Sequence, residues 1–240
     1  MDYGEDHAES IVIDLDHERH RYMYRVVKRV FDFVASLLVL ILLSPVFLIV
    51  AIAIKLEDPK GPVFYSQTRL GKQQQPFKMY KFRSMIVNAD KLLKKLADQN
   101  EVDGAMFKIK RDPRVTNVGR FIRKHSLDEL PQLMNVLLGQ MSLVGPRPPL
   151  PREVAEYTEY DRQRLFVKPG CTGLWQVTVR NEASFNEMVQ LDLYYINTRS
   201  NWNDIVIILK TICVFFLNQM EPIDGLICLF LEGKRWQKKY

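Results

Sequence analysis

An apolar run from Phe33 to Ile54, interrupted near its middle by Ser44-Pro45, constrains this chain more than any other feature. The run is long enough to cross a bilayer, which takes roughly 20 apolar residues at about 1.5 Å each. Pro45 lacks the amide that a helix interior needs and clashes with the turn before it, and Ser44 is biased away from helical angles. Split there, each arm is about ten residues or roughly 15 Å long, about half the hydrocarbon thickness. Lys28 and Arg29 precede the run, and Lys55, Arg69, Lys72, Lys78, Lys81 and Arg83 follow it. Positive residues favour the cytoplasmic side, and here both ends are positive. A helix that enters, turns at Ser44-Pro45 and leaves on the same face satisfies both features. A kinked spanning helix is the alternative, because membrane helices tolerate proline where neighbours re-satisfy the freed carbonyl. The segment by itself leaves both topologies open. The acidic stretch ahead of it, and the lack of a small-residue cleavage site behind it, argue against a signal peptide.

The net charge of +6 suits a chain that lies against anionic lipid or handles phosphate-rich substrates. Its basic residues are dispersed and no nucleic-acid motif accompanies them, so nucleic acid is not an expected partner. A length of 240 residues allows one domain with a proper core beside the membrane element. Cys171, Cys213 and Cys228 are odd in number and lack metal-ligand spacing, which predicts reduced, structural thiols.

Residues 1–24 are polar, rich in Asp and Glu, and read as a mobile tail. Glu57 to Pro62 is punctuation leading away from the membrane element. Val63 to Gln67 and Phe77 to Phe82 are β-prone runs around Leu70-Gly71-Lys72, which predicts a hairpin. Leu92, Leu93 and Leu96 predict an amphipathic helix from Asn88 to about Asn100. A helical segment around Leu127 to Leu138 is stopped by Gly139. Gly145-Pro146-Arg147-Pro148-Pro149 is too proline-rich for helix or central strand. Pro151 to Phe166 and Ser184 to Ile196 read as helices. Ile205 to Phe216 is apolar but short, which fits an interfacial helix and a core helix equally.

The chemistry concentrates at Ser126-Leu127-Asp128-Glu129-Leu130-Pro131. Ser126 with Glu129 three residues on can be a plain capping box, and acids in a first helical turn suit the dipole. The neighbours exceed what a cap needs. Arg120, Arg123, Lys124 and His125 precede the dyad, Arg147 lies on a rigid proline-flanked loop, and Lys81 and Arg83 occupy a β-prone run. A carboxylate beside several fixed cations suits phosphoryl transfer, in which cations and a divalent metal neutralise phosphate oxygens while the carboxylate attacks phosphorus.

On these residues the chain resembles the bacterial sugar transferases, the monotopic phosphoglycosyl transferases. The resemblance runs from about Lys28 to Thr211. It rests on Lys28-Arg29 with Phe31-Asp32 and Ser36, Ser44-Pro45, Gly61 to Tyr65, Tyr80 to Met85, Ser126 to Leu133, Gly145 to Pro148, and Lys168-Pro169-Gly170 with Thr172-Gly173. It implies an α+β, mostly helical fold: a re-entrant membrane helix, and a compact cytoplasmic catalytic domain with a small β-hairpin and interfacial helices. The expected divisions are a tail over 1–24, the membrane helix over 25–57, the catalytic domain over 58–217 and a C-terminal tail over 218–240. Asp128 matches the family's nucleophile and Glu129 its partner acid. Lys81, Arg123 and Arg147 match cations of the phosphate site, and Mg²⁺ is the implied metal, held beside Asp128. The implied reaction moves a sugar 1-phosphate from a UDP-sugar to undecaprenyl phosphate and releases UMP. It is the first membrane step of exopolysaccharide or capsule assembly, carried out on the cytoplasmic face of a bacterial cell membrane. A homo-oligomer stays open. So does the sugar, since galactose, glucose and N-acetylated sugars all fit these motifs.

Val179 stands where the family commonly has Gly, which leaves Arg180 and Asn181 without assigned roles. The extra N-terminal membrane helices of longer members have no counterpart, so a minimal form is expected. The basic end from Lys234 to Lys239 matches no family motif; its Trp236 and cations suit a membrane-surface anchor, but a solvated end is the first reading. A competing reading is a non-catalytic membrane-surface adaptor in which Asp128-Glu129 only caps a helix. A glycosyltransferase that moves the sugar alone would release UDP instead.

Overall fold

The computed structural model describes residues 12–13, 20–89, 92, 112–179 and 184–217. Most of the two expected tails, most of the helix expected from Asn88 to Asn100, Cys228, Arg180 and Asn181 lie outside them.

The apolar run folds as two helices, α1 (Tyr22–Leu42) and α2 (Ser44–Glu57), bent by 59° at Leu43. Pro45 therefore sits in the first turn of α2, where its missing amide has no intrahelical partner to lose. The Ser44 hydroxyl donates to the Ile41 carbonyl at 2.8 Å, satisfying one acceptor that the break exposes. Among the described residues no single helix is long and apolar enough to cross a membrane, but this bent pair passes that test of length and composition together. Leu37, Leu38, Ile41 and Leu42 of α1 and Leu48, Ile49, Ile52 and Leu56 of α2 are exposed. That contiguous apolar surface is more than a water-facing helix pair carries.

The expected hairpin forms from β1 (Phe64–Leu70) and β2 (Pro76–Phe82), paired antiparallel with Phe64 opposite Phe82 and Tyr65 opposite Lys81. Next come α3 (Asn117–Lys124), a 3₁₀ turn (Leu127–Glu129) and α4 (Gln132–Leu137). The helical segment expected from Leu127 to Leu138 is thus broken: Pro131 cannot donate to Leu127, and the Leu130 amide closes a tighter turn instead. Gly139 ends α4 with φ of +77°, as expected of a helix stop. The proline-rich loop forms neither helix nor strand.

Two three-residue strands, β3 (Ser142–Val144) and β4 (Gly170–Thr172), form a parallel ribbon that local sequence did not announce. The backbones come so close beside it that a Cβ on Gly170 would lie 2.1 Å from the Gly145 nitrogen. Pro151 to Phe166 is not one helix but α5 (Pro151–Ala155), α6 (Glu159–Arg162) and a 3₁₀ turn (Gln163–Phe166). Thr158 and Asp161 make a reciprocal capping box that starts α6 afresh. After α7 (Leu174–Thr178), Ser184 caps α8 (Phe185–Thr198), and α9 (Asn201–Leu217) closes the described chain.

Val50 and Ile54 of α2 pack with Phe82, Ile122, Leu127 and Leu130, so the second arm of the bent pair shares a core with the turn that carries Asp128. Val144, Val189, Leu193, Ile196 and Ile207 form the other main core, joined by Ile13. On α9, Trp202, Ile205, Leu209 and Ile212 are exposed along one stripe while Asp204 and Ile207 face inward. Apart from Asp204, the helix is therefore apolar on its exposed and its inward sides alike.

Candidate active site

Asp128 is presented by a sharp turn, and its approach is set by α3. Thr116 caps that helix by accepting from the Gly119 amide at 2.9 Å, and Glu57 at the end of α2 accepts from the Asn117 and Val118 amides at 2.7 and 2.9 Å. Glycine is required at position 119, where a Cβ would lie 2.0 Å from the Ser84 carbonyl oxygen. After α3 the chain reverses at Ser126, whose φ of +51° is left-handed. The capping box that Ser126 and Glu129 could have formed is absent. Ser126 makes no side-chain cap, because its left-handed backbone uses its carbonyl to receive the Glu129 amide and Glu129 turns to a different partner.

That partner is Lys81, near the end of β2, whose Nζ donates to Glu129 Oε1 at 2.6 Å. The strand is held in place by Asn135, which is wholly buried. Its amide oxygen accepts from the Tyr80 nitrogen, and its amide nitrogen donates to the Lys78 carbonyl and to Gln140. Arg123 donates from Nε to the Ser84 hydroxyl at 2.8 Å, which aims its guanidinium across the turn. Arg147 is exposed on its loop and lines a small cleft with Lys81, Glu129, Gln132, Arg69 and Gln176.

Asp128 is 9% exposed and makes no salt bridge among the described residues. Burial raises its carboxyl above the usual range, helped by the neighbouring Glu129 charge; Lys81 and Arg123 oppose the shift. Glu129 goes the other way. Burial disfavours its charge, but the Lys81 ammonium and its hydrogen bond, then Arg147 and Gln132, outweigh burial and hold the carboxyl below its ordinary range. Adjacent carboxylates with opposite shifts can take different roles, one bound to a cation and one left for chemistry.

The turn thus brings together Asp128, Glu129 and Lys81, with Arg147 across the cleft and Arg123 alongside. Arg83 does not join them. Its guanidinium binds the Asp58 carboxylate and carbonyl, both at 2.8 Å, and fastens the turn after α2. Arg120 folds back on its own helix to the Val115 carbonyl and Asn117. Arg69 went unnoticed as a site residue. It is buried, donates to the Pro148 carbonyl at 3.0 Å beside Arg147, and keeps an unpartnered Nε. Burial and the Arg147 charge push its guanidinium down to about 10.

Among the described residues no three His, Cys, Asp or Glu side chains converge, so those residues form no all-protein metal cage. Mg²⁺ seldom needs one, since it commonly takes one or two carboxylates with waters and substrate phosphates. Asp128, a carboxylate without a salt bridge, fits that smaller donor set, whereas Glu129 is committed to Lys81.

A family model described as "Bacterial sugar transferase" matches residues 23–218. The chain is 44% identical over 207 residues to the galactosyl transferase CpsE of Streptococcus agalactiae serotype III, covering 86% of this chain and 46% of that protein. It is 46% identical over 191 residues to an undecaprenyl-phosphate galactose phosphotransferase of Salmonella typhimurium, covering 78% of this chain and 40% of that one. Against the UDP-glucose:undecaprenyl-phosphate glucose-1-phosphate transferase of Escherichia coli K12 it is 40% identical over 203 residues, or 81% of this chain and 41% of the other. The chain spans less than half the length of these three relatives.

Proposed function

Because the chain belongs to the bacterial sugar transferase family, we propose that it transfers a sugar 1-phosphate from a UDP-sugar to undecaprenyl phosphate and releases UMP. The observation that carries this reading is the turn itself: a buried carboxylate free of salt bridges, with Lys81 and Arg123 near it and a neighbour, Glu129, that is bound by Lys81 and faced by Arg147.

Asp128 is the nucleophile. A carboxylate oxygen attacks the β-phosphorus of the UDP-sugar, the bond from that phosphorus to the bridging oxygen breaks, and UMP leaves with the bond electrons. An oxygen of the lipid phosphate then attacks the same phosphorus and frees Asp128. Arg147, with its fork exposed on a rigid loop, binds phosphate oxygens in bidentate fashion, and Arg123 balances charge beside Asp128. Lys81 holds Glu129 ionised and away from the line of attack. Mg²⁺ would be held by Asp128 together with the substrate's own oxygens, and when bound it neutralises phosphate charge.

On this reading the bent pair of α1 and α2 is re-entrant and, with positive residues on both flanks, the domain works at the cytoplasmic face, where a soluble nucleotide sugar and a lipid phosphate can both reach the turn. The step belongs to exopolysaccharide or capsule assembly.

The test is a panel of UDP-sugars scored for UMP release with polyprenyl phosphate and Mg²⁺. A sugar-phosphate mass on the peptide containing Asp128 is expected when acceptor is omitted, as is exchange of labelled UMP into UDP-sugar. Asp128→Asn is expected to lose several orders of magnitude in turnover, on the scale of losing a covalent catalyst. UDP in place of UMP would identify a simple glycosyltransferase, and no turnover with any sugar would favour the adaptor reading. Absent exchange with substantial Asp128→Asn turnover would replace the covalent route by direct displacement.

A further inference from the structure

A second cavity, of about 700 Å³, opens between α1 and the domain. Its wall is strongly basic. Lys28, Arg29, Lys72, Arg162, Lys168 and Arg199 face it, against two carboxylates, Asp32 and Glu159. Most of those groups have structural duties. Lys28 pairs with Asp204 at 2.8 Å, Arg29 donates to the Val136 and Leu137 carbonyls, and Asp32 accepts from Ser142 and the Leu143 amide. Arg162 lies 3.8 Å from Glu159.

Lys72 and Lys168 have no anionic partner within salt-bridge distance among the described residues. Like charges also crowd here: a Cβ on Gly139 would lie 3.3 Å from the Arg29 guanidinium and 3.6 Å from the Lys168 ammonium, so both cations flank one point. Partial burial, then the charges of Arg29 and Lys72, push the Lys168 ammonium below its ordinary range, with Asp32 opposing. A pocket that concentrates uncompensated positive charge is relieved by an anion. Leu165, Phe166 and Val167 line one side, and α1 itself forms a wall before running on into its exposed apolar arm. The cavity is therefore amphipathic, and it opens where the helix passes from the domain toward lipid.

We propose that this cavity holds the phosphodiester headgroup of an anionic phospholipid, gripped chiefly by Lys72 and Lys168, and so seats the domain on its membrane. The inference rests on the membrane reading of α1 and α2. It adds a lipid site separate from the cleft at Glu129, since the two sets of lining residues do not overlap.

The test is native mass spectrometry of the full chain in neutral detergent, titrated with phosphatidylglycerol or phosphatidylcholine. The wild type retains phosphatidylglycerol preferentially. Lys72→Gln with Lys168→Gln weakens that retention by roughly tenfold or more, the scale of two lysines facing an anionic headgroup. UMP release in neutral detergent is unchanged. Lys72→Gln alone, at an exposed position on the hairpin tip, gives a several-fold loss and serves if the double variant misfolds. Equal retention of the two lipids, or phosphatidylglycerol retention unaltered in both variants, overturns the proposal. Complete displacement by millimolar inorganic phosphate or UMP overturns it too, and gives the cavity to a soluble anion. Failure of the wild type to float with phosphatidylcholine vesicles sinks the membrane reading separately, since headgroup selectivity is read in detergent.

Discussion

Asp128 and Glu129 are neighbours in sequence but not in electrostatics. Burial raises the first carboxyl while Lys81 lowers the second, so as pH falls Asp128 takes its proton while Glu129 is still ionised. If Asp128 must be ionised to attack, the acid limb of kcat/KM lies above the usual carboxylate range and reports Asp128. Lys81 is the strongest cation opposing that shift and Arg123 the weaker one. Lys81→Gln should therefore move the limb to higher pH, and Arg123→Gln should move it the same way by less. Each also lowers the plateau, but the limb position is read independently from a pH–rate profile. A limb that stays put or shifts to lower pH in Lys81→Gln would reassign the titrating group. Arg147 makes a separate case. Its exposed fork faces the cleft, and lysine cannot reproduce two parallel bonds, so Arg147→Lys should lose one to two orders of magnitude in kcat/KM, roughly the loss of one charged hydrogen bond. Near-full activity in that variant would leave Arg147 a bystander.

At the scale of elements, the break at Leu43 is the decisive event. The Phe33–Ile54 run announced it, because proline and the residue before it obey local rules that need no tertiary partner. The hairpin, the Gly139 stop and the helices α8 and α9 were legible for the same reason. What escaped reading depends on distant partners. Asp204 meets Lys28 across 176 positions, Arg69 meets Pro148 across 79, and Asp32 meets Ser142 across 110. No local pattern marks such residues, nor the three-residue ribbon of β3 and β4. The positive flanks also carry more than topology, since Lys28 and Arg29 dock α1 while Lys55 binds the Pro59 and Gly61 carbonyls. The re-entrant path predicts that cysteines at Tyr22→Cys and Lys60→Cys label from the same, cytoplasmic side in intact cells. Label at Tyr22→Cys from the outer side would make the pair a broken span. Ser44→Ala with Pro45→Ala favours a straight helix, which cannot keep both the docked α1 and the α2 core, so a lower melting point is expected.

On the proposed re-entrant reading, membrane contact is coupled to chemistry, because α1 and α2 are built into the domain rather than tethered to it. Asp204 is the principal clamp. It is 3% exposed and receives Lys28 at 2.8 Å, the Tyr24 hydroxyl at 3.0 Å and the Tyr195 hydroxyl at 2.6 Å, joining α1, α8 and α9. Tyr195 also lies within 3.1 Å of the Val144 carbonyl, so the clamp reaches β3. On the other flank, Glu57 carries the end of α2 to α3, and α3 leads into the turn of Asp128. The position of that turn relative to α1 and α2 is therefore fixed by the fold, and with it the height above lipid that the proposed membrane reading implies. Asp204→Asn takes the carboxylate from the nearly buried Lys28, which costs about 3 kcal/mol, the lower end of the range for a broken buried pair because Asp32 stays close to Lys28 and the new amide can still bond both tyrosines, accepting from one and donating to the other. A domain of ordinary stability survives that loss but holds α1 less firmly. On the proposed covalent route the two half-reactions then separate. Exchange of UMP with UDP-sugar uses only soluble substrate and should stay close to wild type, whereas overall transfer to polyprenyl phosphate should fall by tenfold or so, since a misplacement of about 1 Å can cost more than that. Both rates are read on the same purified enzyme below its melting point. If exchange and transfer fall in parallel, Asp204 serves stability alone and the clamp does not set the meeting of turn and lipid.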